Sequence, residues 1–186
     1  MFYHITGTEI GKLSSERRGF YNDCDRPRGF WFTEEFKWLE FLLNDGFFLS
    51  LNDCFWNNYF YEVDVSKCNL IFIDLSSIDE YNKFYLQYSK NDDKESNINW
   101  EKLMSDYDGF YCYNHENFDD KIKLEYSSPN IPNVFFHKSL NIDSGCIWNV
   151  EKLGIKKITT EVFKDRYFLE KRKSQMNYKK ALLRGL

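Results

Sequence analysis

Apolar and polar positions fall into short blocks whose period switches along the chain. Tyr3-His4-Ile5 reads as a short strand, closed by a turn at Thr6-Gly7-Thr8. The stretch 23–29 is polar, contains Pro27 and Gly29, and reads as a loop. Phe30-Trp31-Phe32 has the look of a buried strand. Thr33-Glu34-Glu35 then offers a cap and early acids for a helix whose apolar positions are Phe36, Trp38, Leu39, Leu42 and Leu43, with Gly46 as its stop.

Residues 59–65 alternate like a half-buried strand, and 69–74 form a more deeply buried one. The spacing of Ile78, Tyr81, Phe84, Tyr85 and Tyr88 predicts a helix over 77–89 behind a serine cap. A short helix over 99–107 ends at Asp108-Gly109, and a strand over 110–113 follows. Past the polar stretch 114–133, late strands are expected at 134–136 and 145–148, and a helical pattern from Thr160 onward. Such irregular alternation predicts an α+β domain with a split β-sheet rather than a doubly wound one.

Composition sharpens this picture. Aromatics make up 19% of 186 residues, so the expected core is large and rich in rings. No run approaches the roughly 18 apolar residues of a membrane helix, and the first residues lack the basic-then-apolar order of a secretory signal. The five cysteines are scattered without a C-x-x-C pair, the pattern of reduced, buried thiols in a cytoplasmic protein. His4, His115 and His137 lie too far apart to suggest a metal site. Phosphate-loop, dinucleotide-binding, zinc-protease and serine-elbow motifs are missing.

Charge divides the chain. Residues 151–186 hold eleven Lys and Arg against four Asp and Glu, so with a net charge of −4 overall the first 150 residues carry −11. The expected organisation is a domain over 1–150 and a basic helical extension over 151–186, which either packs on the acidic body or reaches a polyanion.

Five segments carry a resemblance: 2–6 (FYHIT), 26–33 (RPRGFWFT), 61–65 (YEVDV), 100–110 with its Tyr107-Asp108-Gly109, and 144–149 (SGCIWN). In this order they resemble a family of small phage and bacterial proteins with YH-x-[ST], RGLW-S, YDG and SGCIW motifs, itself similar to ADP-ribosyltransferase-fold proteins. The resemblance spans about residues 2–149. It implies a split-sheet core with flanking helices and an NAD-dependent ADP-ribosyltransferase modifying a protein or nucleic-acid acceptor, as a toxin or phage–host conflict effector would. The alternatives it leaves open are an NAD glycohydrolase without acceptor and a non-catalytic binding protein.

The resemblance also assigns roles. His4 would hold the ribose of NAD, because a neutral imidazole both donates and accepts. Arg28 would pair with the pyrophosphate through its planar fork, Trp31 would stack on nicotinamide, and Thr33 would bind ribose or, more simply, cap the next helix. Where related enzymes carry a glutamate, this chain has Asp143-Ser144. That serine is similar to the one in RES-type toxins, which degrade NAD; Ser144 would bond the ribose, and Asp143 is the acid at hand. Asp108 is a further acid, read more simply as part of a turn.

Overall fold

In the computed structural model, residues 1–14, 20–21, 24–27, 29–46, 50–89, 98–115 and 142–183 are described. Strand β1 (Phe2–Thr6) is followed by a small hairpin, β2 (Phe20–Tyr21) and β3 (Cys24–Pro27), and by β4 (Phe30–Glu34). Helices α1 (Lys37–Asn44) and α2 (Leu51–Asn57) lead to β5 (Tyr59–Asp64) and β6 (Leu70–Asp74). Then come α3 (Ile78–Tyr88), α4 (Trp100–Asp106), β7 (Gly109–Tyr113), β8 (Ser144–Ile147), β9 (Gly154–Ile158) and α5 (Thr160–Leu183).

Seven strands form one mixed sheet in the order β6-β7-β8-β4-β1-β5-β9. Only β6 and β7 run parallel among its pairs, and α3 and α4 make the crossover that parallel neighbours require. The register puts Trp31 opposite Cys146, Phe110 opposite Cys146, and Tyr3 opposite Thr33. Since side chains alternate between faces, these residues share one face.

On that face α3 and α4 bury Tyr81, Phe84, Tyr88, Trp100 and Leu103 against Ile73, Phe110 and Cys112. Beside them α1, α2 and α5 bury Leu39, Cys54, Phe55, Phe163 and Tyr167 against Tyr3, Ile5 and Phe60. Phe163 alone meets the rings of Tyr3, Phe36, Phe55 and Phe60, the last at a centroid distance of 4.2 Å. Burying a ring of this size contributes about 2–3 kcal/mol. The opposite face carries Phe30, Phe32, Val63, Tyr111 and Ile147, with Ile10 and Leu13 from the segment after β1 packed against them.

Three sequence expectations need revision. The helix behind β4 starts at Lys37 rather than near Thr33, because β4 runs on through Glu34 and Glu35 takes a positive φ of 52° to turn the chain. Residues 24–27, read as loop, form β3. The basic extension begins inside the fold: β9 pairs with β5 over five residue pairs, and Phe163 and Tyr167 belong to the core. The expected strand over 134–136 lies outside the described residues. Among the described residues, no helix is long and apolar enough to cross a membrane.

Candidate functional site

β1 stays paired with β5 along its whole length, from Phe2 opposite Val63 to Thr6 opposite Tyr59. With β4 it shares two pairs, Phe2 with Glu34 and Tyr3 with Thr33. The two strands part there, and the next residue along β1 is His4. A cavity of about 40 Å³ lies at this parting, lined by Tyr3, His4, Ile5, Trp31, Phe32, Thr33, Trp38 and Ser144. Four of the residues singled out from sequence, drawn from positions 4 to 144, therefore meet at one place.

The cavity is small. Ligand pockets run to roughly 300–1,000 Å³, whereas this one has room for about one or two waters. It is not the dinucleotide-sized hollow that the resemblance implies.

His4 occupies the parting itself. Its Nδ1 lies 2.6 Å from the carbonyl oxygen of Trp31, and its ring sits 4.4 Å from that of Phe30 and 6.4 Å from that of Tyr61. A carbonyl can only accept, so Nδ1 carries the proton and Nε2 is left as an acceptor in the neutral ring. Burial pushes the imidazole pKa below its ordinary 6.5, against the opposing pull of the Trp31 carbonyl.

Thr33 comes from the helix-facing side of β4 and is 2% exposed. It caps nothing: α1 begins four residues later and has no side-chain cap. Its Oγ1 has no hydrogen-bond partner among the described residues. An unpaired buried hydroxyl costs about 1–3 kcal/mol, so a partner entering the cavity would find a donor and acceptor already desolvated. Ser144, also buried, donates its hydroxyl to the carbonyl of Ile142 at 3.1 Å and keeps its oxygen as an acceptor.

The remaining candidates are placed differently. Asp143 binds the ammonium of Lys37 through Oδ2 and accepts the N–H of His115 at 2.7 Å through Oδ1, so it ties β8 to α1 and to the end of β7. It does not line the cavity. Trp31 is half-buried and edge-on to Phe110 at 5.8 Å, which makes it partly a core ring. Arg28 lies outside the described residues. Cys112 is fully buried, and burial raises its thiol pKa well above the ordinary value. Trp38 is a cavity residue with no separate sign in the sequence, because it reads as one more apolar position of α1.

The motifs behind the resemblance turn out to be joints of the sheet. Asp108 accepts from the backbone N–H of Asn69 at 2.8 Å, the amide of Asn149 at 2.6 Å and the ammonium of Lys152 at 2.8 Å. The indole N–H of Trp148 donates to the carbonyl of Tyr107 at 2.6 Å. A Cβ on Gly145 would stand 2.5 Å from the ring of Phe32 and 2.6 Å from the carbonyl of Phe110. YDG and SGCIW thus lock β6, β7 and β8 together, and Phe32, from the segment 26–33, fills the space Gly145 leaves.

Compared with family models, curated proteins and solved structures, the chain matches none.

Proposed function

We propose that the cavity where β1 and β4 part is the ribose-binding corner of an NAD site, and that the chain is an NAD-dependent ADP-ribosyltransferase of cytoplasmic setting with a macromolecular acceptor. The observation that carries this reading is the unpaired, buried hydroxyl of Thr33 in a cavity shared with His4 and Ser144. A ribose presents adjacent hydroxyls. The Thr33 and Ser144 oxygens, on the helix-covered face, would bind these hydroxyls, and His4, whose ring lies beside Phe30 and Tyr61 on the other face of the sheet, would reach the ribose only through the gap between β1 and β4.

NAD supplies a glycosidic bond that breaks to release nicotinamide, leaving positive charge on the ribose. In the proposed site the neutral imidazole and the hydroxyl oxygens stabilise that ribose, and the apolar walls exclude water. Entry of the nicotinamide ring requires Trp31 and Trp38, both half-buried in the lining, to move apart.

The second reading is the simpler reaction, hydrolysis, in which water takes the place of the macromolecular nucleophile.

Incubation of the purified protein with NAD, with and without cell lysate, tests both. Nicotinamide release together with labelled macromolecule supports transfer; release without label supports hydrolysis. Absence of both nicotinamide release and NAD binding by calorimetry overturns the assignment.

A further inference from the structure

Helix α5 has 24 residues, about 36 Å at 1.5 Å per residue, and only its first half is packed. Phe163 and Tyr167 are buried, whereas every residue from 171 to 180 is exposed. An isolated helix of this outer length is marginal in water, so it is a segment a partner would complete. It carries Lys171, Arg172, Lys173, Lys179 and Lys180, and no Asp or Glu. Lys171 pairs with Glu40 and Lys173 with Glu170; among the described residues no carboxylate pairs with Arg172, Lys179 or Lys180.

The bases are ordered. At about 100° per residue, Arg172 and Lys179 fall on one line along the helix, and Lys173 and Lys180 on a second line about 100° round it. Members of each line are about 10 Å apart along the axis. Between the lines stands Met176, 57% exposed. A helix that docks in an apolar groove or on a lipid surface needs a continuous stripe of large apolar anchors. The exposed large apolar side chains of α5 are Val162, Phe168, Leu169, Met176 and Tyr178, and beyond Leu169 they thin to Met176 and Tyr178 among five cations. Charge therefore dominates the outer half, and two divergent basic rows fit a partner whose negative charges stand on both sides of a helix-wide groove.

We propose that the outer half of α5 grips the phosphate backbone of duplex DNA across its major groove, with Arg172 and Lys179 on one wall and Lys173 and Lys180 on the other. This inference is independent of the NAD reading.

The test uses the full chain and fluorescein-labelled RNA and DNA of about 20 nucleotides, single-stranded and duplex, followed by anisotropy. With four phosphate contacts, duplex affinity should fall about a hundredfold between about 50 and 200 mM salt, with little dependence on sequence. The quadruple variant Arg172→Gln, Lys173→Gln, Lys179→Gln, Lys180→Gln should bind at least about thirtyfold more weakly at low salt and lose most of the salt slope. Its melting temperature and its acceptor-free nicotinamide release should match the unmodified protein. The proposal is overturned by any of three results: no binding to duplex DNA at low salt or tighter binding to the single strands, binding unchanged in the quadruple variant, or a basic segment that binds phosphatidylserine vesicles or a second copy of the chain instead.

Discussion

Nδ1 of His4 and the carbonyl oxygen of Trp31, 2.6 Å apart, close the gap where β1 and β4 cease to pair. This contact fixes the tautomer, and burial lowers the pKa of the ring against the pull of the carbonyl. The folded-state pKa is lowered, so the stability this histidine contributes is full above its ordinary 6.5 and is lost as pH falls below that value toward the folded one. Melting temperatures recorded across that range should drop on the acid side in the unmodified protein. His4→Asn, whose amide can still donate to Trp31 but does not titrate, should flatten that part of the curve. An unchanged slope would mean that His4 is not the titrating group.

The unpaired hydroxyl of Thr33 makes an opposite pair of expectations. Thr33→Val keeps the shape of the side chain and removes the orphan oxygen, so it should raise stability by about 1 kcal/mol. The same change should lower NAD turnover at least about tenfold, one lost hydrogen bond to a ribose being worth about 1.4 kcal/mol or more. Denaturant melts and nicotinamide release read the two effects separately. A destabilised variant would show that the hydroxyl is already satisfied.

Asp108 is expected to matter for folding rather than chemistry. Burial alone would raise its pKa, but Lys152, the Asn69 N–H and the Asn149 amide together hold it below the ordinary 3.8. Its contribution is present above that value and is lost as pH falls through the lowered folded one. Asp108→Ala leaves three donors without their acceptor and should cost about 3 kcal/mol in chemical denaturation. A loss below about 0.5 kcal/mol, the level of an ordinary surface change, would show the joint to be dispensable.

Gly145 faces a space that belongs to Phe32. Gly145→Ala should destabilise by about 2–3 kcal/mol through overpacking. Adding Phe32→Leu should recover part of that loss, and a double variant no better than the single would reject the coupling.

Much of the fold can be read from spacing alone. The strands β4 to β8 and the helices α3 and α4 are marked by their apolar positions, alternating in β5 and near-continuous in β7 and β8, which are buried on both faces, and Ser77 caps α3 as expected. β9 is hidden because Gly154, Lys156 and Lys157 face outward at the sheet edge, so that only Ile155 and Ile158 mark it as a strand. Helix α2 is seven residues long, too short for its period to stand out from the polar residues around it. At the cavity, His4 and Ser144 are legible as motif positions, whereas the environment of Thr33 depends on how far β4 continues. That distance is set by β4's contacts with β1 and β8, which no local pattern encodes.

The first strand lies between β4 and β5, and the last helix lies over it: Tyr3 and Ile5 share a cluster with Phe163 and Tyr167, and Arg166 joins Glu62 and Tyr3. A ribosome must therefore deliver the chain as far as Tyr167 before the middle of the sheet can be sealed. Such long-range closure makes for slow folding, and a nascent chain halted before residue 163 would hold the cavity-bearing strand against a face still open to water.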